Sequence, residues 1–465
     1  MDSGRLDKQG PHREDEGNPH AKGLVIRGGT LLTMVEGEHP VEDATILIKG
    51  DRVIEILQGA RPSVQGAELI DARHCIVMPG LVNAHGHTAM TLFRGFADDL
   101  PLKEWLFTKI FPAESAFLNP DSVYWGALLG CAEMIASGTT TVSDGYFYQD
   151  ATAQAFEKAG LRALIAQGVI DFPAPGVPDP KENLKAGRLF MEKWSGVSDL
   201  LRPGLFCHSL TTCSETTLRG AMQLSQEFSS PLQIHLSETE AEVQDVLNRT
   251  RKRPALYLDA LHLLTERLIA VHGVHLSDEE IERIGRRGAA VVHCPESNMK
   301  LASGVADISR MVKEGVLPGL GTDGAASNNN LDLFQEMDTA AKLGKVYTLD
   351  PMNTGAAMVL KMATVWGAKA LGLEKEIGTI QMGKKADVVV VDLQQPHLVP
   401  LYHPMSTLVY AASGGDVKDV IVNGKILMKD RKMAHLDTEE IMARVKEISK
   451  RIGGSKSPRQ NPNHK

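Results

Sequence analysis

Two histidines separated by a single glycine, His85 and His87, have a spacing that could bind a metal ion. In an extended segment, residues i and i+2 project to the same side of the backbone. Both imidazoles could therefore reach one ion, and Gly86 would leave room between them. The pair follows the apolar run PGLVNA, which is typical of a buried strand and strengthens the signal of an H-x-H pattern. The alternative is a polar strand end that binds nothing.

His235 and Asp323 end two later apolar runs, LQIH and LPGLGTD, and could complete the same site. Three neutral imidazoles and one carboxylate suit Zn2+ or another first-row divalent ion. A catalytic ion of this kind also binds a water molecule and lowers its pKa toward neutrality. Asp323 could accept the proton of that water as well as contact the metal. The alternative is a residue that only caps a helix in a Gly-rich turn.

Two further residues could move protons beside such an ion. Glu238 lies three residues after His235, where a carboxyl group could protonate a ring nitrogen of a substrate and then pass a proton to a leaving group. It could instead be an exposed glutamate at the start of the acidic stretch SETEAEVQDV. His272 ends the run LIAVH and could polarise a hydroxide or a tetrahedral intermediate, or it could be a core histidine.

These side chains meet only if the strands that carry them share one sheet. Between residues 75 and 323, short apolar runs alternate with longer amphipathic stretches, which is the pattern of repeated βα units. Eight such units in about 300 residues predict a closed (β/α)8 barrel of the TIM type. The carboxyl ends of its strands converge on one catalytic face, where the histidines and Asp323 would lie together.

The two ends of the chain have a different pattern, with strand-like runs around Gly50-Asp51 and around Asn423-Gly424 that predict hairpins. We expect these ends to pair into one small β-sandwich. The predicted domains are a sandwich built from residues 22–76 and 383–435, a barrel at 77–382 and a C-terminal helix at 436–452. Polar composition predicts disordered tails at residues 1–21 and 453–465.

The composition argues against several classes of partner. The net charge of −8 gives no overall basic character for a nucleic-acid backbone. No apolar run reaches the roughly 18 residues that a membrane helix needs, and the polar N-terminus does not have the pattern of a signal peptide. The five cysteines are odd in number and show no C-x-x-C spacing, which indicates a protein of the reducing cytoplasm.

Four longer motifs are distinctive together: PGLVNAHGHTAMTLFRGFADDLPLKEWL, HLSETEAEV, VHCPESNMKLASG and LGTDGAASNNNLDLFQEM. From about Leu24 to Met428 the chain resembles the amidohydrolase superfamily, and within it the 5′-methylthioadenosine/S-adenosylhomocysteine deaminase group. The resemblance implies a metal-dependent barrel flanked by a sandwich from both chain ends. It also implies one divalent ion per subunit, Zn2+ in the first place, bound by His85, His87, His235 and Asp323.

The resemblance further implies proton transfer by Glu238 and Asp323, support from His272, and substrate contacts from Glu114 and His208. The implied reaction is hydrolytic deamination of an adenosine-type nucleoside by a metal-bound hydroxide. The alternative is an aminohydrolase or chlorohydrolase that acts on guanine, pterin or triazine rings. The implied partner is a small molecule, and a homo-oligomer is left open.

Two departures from the family pattern concern the substrate end of the site. The stretch 208–212 is HSLTT, where the family text is close to His-Ala-Pro-Tyr-Thr, and no arginine lies between Arg162 and Arg188. Both changes leave the metal chemistry in place. They favour a neutral methylthio group over a charged homocysteine tail at the 5′ position.

Overall fold

The structure is a computed structural model that describes residues 23–59 and 66–454. The predicted N-terminal tail lies outside the described residues. The predicted C-terminal tail also lies outside them, except for residues 453 and 454, which form the end of the last helix. No helix in the described ranges is long and apolar enough to cross a membrane.

The strands fall into three groups along the chain. The first group is β1 (Leu24–Arg27), β2 (Thr30–Leu31), β3 (Val41–Glu42), β4 (Ala44–Lys49), β5 (Arg52–Gln58), β6 (Glu68–Asp71) and β7 (Cys75–Pro79). The second group is β8 (Leu81–Gly86), β9 (Thr139–Tyr146), β10 (Arg162–Val169), β11 (Leu201–Ser209), β12 (Leu232–Leu236), β13 (Leu268–His272), β14 (Ala290–His293) and β15 (Gly319–Leu320). The third group is β16 (Val388–Asp392), β17 (Val417–Val422), β18 (Lys425–Lys429) and β19 (Lys432–Met433).

Helices fill the intervals between these strands. The α-helices are α1 (Leu102–Glu104), α2 (Phe111–Phe117), α3 (Pro120–Ala136), α4 (Gln149–Ala159), α5 (Asn183–Trp194), α6 (Glu215–Glu227), α7 (Glu240–Thr250), α8 (Pro254–Ala260), α9 (Asp278–Arg287), α10 (Pro295–Lys300), α11 (Ile308–Lys313), α12 (Leu333–Thr348), α13 (Ala356–Lys361), α14 (Gly367–Ala370), α15 (Pro404–Tyr410) and α16 (Thr438–Gly454). Short 3-10 helices lie at Thr88–Phe93, Pro180–Glu182, Pro396–Leu398 and Gly414–Asp416, and π-helical turns at Trp105–Ile110 and Met362–Trp366.

The second group of strands forms one parallel sheet in the order β8 to β15, which confirms the predicted (β/α)8 barrel. A parallel bridge between Gly86 and Asp323 brings the two edge strands together. The last strand is much shorter than the predicted run at 317–323. Pro318 has no N–H to donate to a neighbouring strand, and β15 begins only after it.

The other strands form two sheets, with the orders β5-β4-β1-β6 and β19-β18-β17-β16-β7-β2-β3. Their facing side chains pack into one buried cluster, in which Ile26 and Ile46 from the first sheet meet Val77, Val388 and Ile421 from the second. Because strands from both chain ends contribute to the cluster, neither end could bury its apolar face alone. The architecture is therefore a barrel with a β-sandwich from the chain ends.

The chain passes from sandwich to barrel at Gly80. The mainly apolar run CIVMPGLVNAH at 75–85 has the length and composition of one strand, but β7 pairs with β16 in the sandwich whereas β8 pairs with β9 in the barrel. A Cβ atom on Gly80 would lie 2.0 Å from Oγ1 of Thr140, so this close crossing needs glycine. The boundary predicted between residues 76 and 77 falls inside β7, and the other domain limits stay predictions.

A buried ion pair connects the two units near this crossing. Nε of Arg162, at the start of β10, lies 2.8 Å from Oδ2 of Asp387, just before β16. The same carboxylate accepts a 2.7 Å hydrogen bond from the backbone N–H of Asn423, in the turn between β17 and β18. One carboxylate therefore fixes a barrel strand and a sandwich hairpin together.

All five cysteines are buried and none forms a disulfide. They lie in the barrel, in α3 and in β7, so they contribute apolar volume to the packed interior. Free cysteine commonly behaves as a small hydrophobic residue in such positions.

Candidate active site

Four potential metal ligands converge at the carboxyl ends of the barrel strands. One ligand atom from each of His85, His87, His235 and Asp323 lies within 4.8 Å of all the others. Nε2 of His85 lies 3.2 Å from Nε2 of His235 and 3.5 Å from Oδ1 of Asp323. Nε2 of His87 lies 3.1 Å from the same Asp323 oxygen. The structure thus brings together the four residues that the sequence singled out.

The neighbours of the histidines leave the Nε2 atoms free to bind an ion. His85 Nδ1 donates to the amide oxygen Oε1 of Gln233 at 3.2 Å, and His87 Nδ1 donates to the carbonyl oxygen of Gly145. With both protons on Nδ1, each Nε2 presents a lone pair to the centre. Two nitrogens bound tetrahedrally to Zn2+ at about 2.0–2.1 Å would be about 3.3 Å apart. The observed spacings therefore fit a divalent ion.

The local sequence explains this convergence. His85 is the penultimate residue of β8 and His87 directly follows the strand, on the other side of Gly86, while His235 lies near the end of β12. Asp323 follows β15, and its backbone N–H donates a 3.1 Å hydrogen bond to the carbonyl oxygen of His85. The contact that closes the barrel is therefore also the contact that places the carboxylate among the histidines.

Asp323 is buried but is held in its ionised form. Burial alone would raise the pKa of Asp323, but His85 and His87 in their protonated form donate from Nε2 to the carboxylate, which outweighs burial and holds the pKa well below its usual range. The hydroxyl groups of Ser297 and Ser327 also donate to Oδ2 at 2.7 and 2.9 Å. A carboxylate with one oxygen toward the histidines and one toward two hydroxyls is fixed in orientation.

Glu238 lies beside this cluster in a buried position, not on an exposed helix surface. Burial, reinforced by the charge of Asp323, raises the pKa of Glu238 to about 8. Its Oε1 accepts a 3.1 Å hydrogen bond from the hydroxyl of Ser303. The carboxyl group of Glu242 binds the backbone N–H groups of Ser237 and Glu238 at 3.2 and 2.8 Å, which fixes the turn that carries the residue.

His272 faces Glu238, with Nε2 of the ring 3.7 Å from Oε2 of the carboxyl group. On its other side, Nδ1 donates a 2.8 Å hydrogen bond to Oδ1 of Asn298. Burial lowers the pKa of His272, so the ring is neutral and Nε2 carries a lone pair. His272, Ser237 and Asp323 all have positive φ values, at 74°, 52° and 59°. Such backbone conformations are rare outside glycine and commonly occur at functional sites.

A cavity of about 910 Å³ opens above these residues. Its walls are largely apolar, and the aromatic lining residues include Trp105, Phe111, Phe147 and Phe206. His87, His235, Asp323, Glu238 and His272 lie on its surface, whereas His85 is fully buried. A mostly apolar cavity with a few polar groups at one end is typical of a site for a small ligand.

The two predicted substrate contacts, Glu114 and His208, also line this cavity. Burial raises the pKa of Glu114 to about 7, against the opposing hydrogen bond from Tyr146. Burial lowers the pKa of His208 to about 4. Nδ1 of His208 lies 3.0 Å from the hydroxyl Oγ1 of Thr212, within the HSLTT stretch that departs from the family pattern.

Several polar residues around the site were missed in the sequence. These are Tyr146, Glu242, Ser297, Asn298 and Ser303. They contact the predicted residues rather than the centre, so no metal-binding or acid–base spacing marks them. The available sequence signals were their positions at strand ends or in the helices and loops that follow, on the side of the catalytic face. Four of the five also fall within the motifs HLSETEAEV and VHCPESNMKLASG.

A parallel barrel with three histidines, one aspartate and a buried acid at its catalytic face defines a hydrolase of the metal-dependent barrel class. The amidohydrolase family model matches residues 76–427. The chain therefore belongs to the amidohydrolase family.

Curated relatives of similar length match almost the whole chain. One, from Syntrophus aciditrophicus, is 46% identical over 430 residues, which are 92% of this chain and 97% of the relative. It is named 5-methylthioadenosine/S-adenosylhomocysteine deaminase 1. Another, from Methanosarcina barkeri, is 45% identical over 90% of this chain and 96% of its own length, and is named 5′-deoxyadenosine deaminase.

A solved structure is similar over the same extent. The crystal structure of an adenosine deaminase from Xanthomonas campestris with bound zinc superposes with a TM-score of 0.89. It is 36% identical and covers 94% of this chain and 99% of the solved chain. These relatives confirm that the chain is a hydrolase of the deaminase type.

Proposed function

We propose that the protein hydrolyses the 6-amino group of an adenosine-type nucleoside to give an inosine-type product and ammonia. The observation that carries the proposal is the buried Glu238 carboxyl group, with its pKa raised to about 8, beside the cluster of His85, His87, His235 and Asp323. Deamination needs an acid that can protonate a ring nitrogen at neutral pH, next to the water that attacks the adjacent carbon.

The proposed cofactor is one divalent ion per subunit, Zn2+ in the first place. Three imidazoles and one carboxylate at spacings of 3.1–3.5 Å between neighbouring ligand atoms support it, and so does the zinc-bound relative from Xanthomonas campestris. When bound, such an ion would supply a Lewis acid that lowers the pKa of a water molecule in the cavity.

The protein groups then divide the proton transfers among themselves. Glu238, protonated at neutral pH, would donate to N1 of the purine while water attacks C6. Asp323, held ionised, would accept one proton of the water and pass it to the leaving ammonia, and the remaining hydroxyl proton at C6 would return to Glu238. His272 would orient the water through the Nε2 lone pair, because its Nδ1 proton is bound to Asn298.

Two further lining residues of the cavity, Glu114 and His208, support binding of the rest of the nucleoside. Glu114 would accept hydrogen bonds from the ribose hydroxyls, and His208 would lie against the sugar or its 5′ substituent. The cavity lining described here contains Lys103 and Lys300 but no arginine, and Lys300 is already bound to Asp98. A neutral 5′ group, such as hydrogen or methylthio, therefore fits better than a homocysteine tail.

An ammonia-release assay on the purified, metal-loaded protein tests this proposal. The substrates are adenosine, 5′-deoxyadenosine, methylthioadenosine, S-adenosylhomocysteine, guanine, a simple pterin and a chlorotriazine with chloride detection. We expect the highest kcat/KM for the nucleosides with a neutral 5′ group. Preference for guanine, pterin or triazine would overturn the nucleoside assignment and support the alternative within the same family.

The proposal also covers the cellular compartment, the partner and the oligomeric state of the protein. The free cysteines support a reducing, cytoplasmic environment. The partner is a small molecule that enters the cavity. Whether the chain acts as a homo-oligomer would be read from its mass in solution by light scattering.

A further inference from the structure

Three side chains of one short segment each bind a different group that moves protons in the proposed reaction. The segment runs from Ser297, in α10, to Ser303, in the loop that follows. Its hydrogen bonds are Ser297 Oγ to Asp323 Oδ2 at 2.7 Å, His272 Nδ1 to Asn298 Oδ1 at 2.8 Å, and Ser303 Oγ to Glu238 Oε1 at 3.1 Å. These three groups come from three different parts of the barrel, and this one segment contacts all of them.

We propose that the 297–303 segment positions the proton-transfer groups, so that the relative orientation of Glu238, His272 and Asp323 is set by one piece of backbone. The inference rests on the proposed function. Ser297, Asn298 and Ser303 act as positioning residues, because they bind the reacting groups and not the substrate. Reacting groups must be held within a fraction of an ångström to keep their catalytic effect.

The surroundings of Asn298 favour such a role over a purely structural one. The residue is fully buried, and its Nδ2 group has no hydrogen-bond partner among the described residues. A buried amide that served stability alone would be expected to pair both of its polar atoms. Here the bond to His272 is the one that the side chain makes, and it keeps the proton of the ring on Nδ1.

The backbone of the segment is fixed without help from the three side chains. The N–H of Asn298 donates to the carbonyl oxygen of Cys294 at 3.0 Å, and the N–H of Ser303 donates to the carbonyl oxygen of Asn298 at 2.8 Å. The carbonyl oxygen of Ser303 in turn accepts a 2.7 Å bond from Nε2 of His275. Shortening one of the three side chains should therefore leave the fold of the segment intact.

The three reacting groups differ in how many side-chain hydrogen bonds hold them, so the loss of each contact should have a different effect. Oδ2 of Asp323 receives hydroxyl donors from both Ser297 and Ser327, and these two hydroxyls lie 2.9 Å from each other. The Glu238 carboxyl group and Nδ1 of His272 each have a single side-chain hydrogen bond among the described residues. Loss of Ser297 should therefore be compensated, whereas loss of Ser303 or Asn298 should not.

The test compares kcat, KM and bound metal for full-length, metal-loaded variants. Asn298→Ala and Ser303→Ala should each lower kcat by about 10–100-fold, the usual effect of removing a group that orients a reacting side chain. KM should change by less than about 3-fold, because interactions made only in the transition state affect kcat and kcat/KM alike. Ser303→Thr, which keeps the hydroxyl, should recover most of the loss. Bound metal should stay at the wild-type level.

Ser297→Ala alone should lower kcat only slightly. The double variant Ser297→Ala with Ser327→Ala should lower kcat by more than the product of the two single fold-changes. The matched control is Met299→Ala, in the same helix but with a side chain that is 51% exposed. It should keep the wild-type kcat.

Either of two results would overturn the inference. In the first, Asn298→Ala and Ser303→Ala have the same kcat as the Met299→Ala control. In the second, these two variants have a higher KM and an unchanged kcat. The comparison is made on whichever substrate of the panel the wild-type protein hydrolyses best. Failure of the nucleoside assignment appears in the wild-type substrate preference, whereas failure of this inference appears only in the variants.

Discussion

The hydroxyl group of Tyr146 donates a 2.5 Å hydrogen bond to Oε1 of Glu114, and both residues are buried at the wall of the cavity. Tyr146 is the last residue of β9, and Glu114 lies in α2. The bond therefore ties the helix that covers the cavity to a barrel strand. It also opposes the effect of burial on the acidity of Glu114, whose pKa is raised to about 7.

This pair leads to a prediction on the pH dependence of binding. A carboxylate accepts hydrogen bonds from ribose hydroxyls better than a carboxylic acid does. KM for the nucleoside should therefore rise as the pH falls below about 7. Tyr146→Phe removes the bond that lowers the pKa of Glu114, so the rise should begin at a higher pH. Identical KM profiles in the two proteins would rule out this role for the pair.

A second prediction concerns the metal. His85→Ala or His235→Ala removes one of the four converging ligands, so each should lose tightly bound metal and turnover together. His208→Ala is the matched control, because its ring lies 5.3 Å from the ring of His235 but is outside the ligand cluster. Elemental analysis should find metal in the control and not in the two ligand variants. Full turnover by metal-free His235→Ala would contradict the proposed site.

The third prediction separates Glu238 from the ligands. Glu238→Gln should fold and retain metal, since the carboxyl group lies outside the four-residue cluster. The amide cannot pass on a proton at neutral pH, so kcat should fall by about 10²–10⁴-fold, the usual contribution of a positioned acid–base group. Turnover and metal content are measured on the same sample. Near-normal turnover would mean that another group moves the proton, and loss of metal would mean that Glu238 is a ligand.

The fourth prediction concerns the ion pair between Arg162 and Asp387. Asp387→Ala leaves a buried guanidinium without its carboxylate, and should lower the free energy of unfolding by about 3–5 kcal/mol. Arg188→Ala is the control, because its partner Glu227 is exposed, and such pairs contribute at most about 1 kcal/mol. Urea unfolding followed by tryptophan fluorescence measures both. Equal effects would mean that the buried pair does not join the two units.

The barrel and the cluster of four potential metal ligands could be predicted because both have strong local signals in the sequence. Each barrel strand is an apolar run of a few residues, and the polar residue at its end must point to the catalytic face once the strands are parallel. His85 and His87 were visible by their spacing directly after the apolar run PGLVNA. Glu238 was visible as a residue three positions from a ligand, although its depth of burial was not.

The remaining features depend on contacts between distant parts of the chain. The break at Gly80 has a local signal, because Pro79-Gly80 is a dipeptide that commonly marks a turn. The close approach of Thr140 from β9 to Gly80 appears only in the folded chain. The bond between Asn298 and His272 joins residues 26 positions apart, on different elements. Single small polar residues of this kind have no periodicity, so only the folded arrangement reveals what they contact.

The burial of every cysteine has a practical consequence for spectroscopy. In the folded state a thiol-reactive dye would meet no accessible sulfur, because Cys75, Cys131, Cys207, Cys213 and Cys294 are all enclosed. A cysteine introduced in place of exposed Phe107, beside the cavity, would then be the only fast-reacting thiol. A single fluorophore there could report ligand entry in the otherwise native sequence, without prior removal of any natural cysteine.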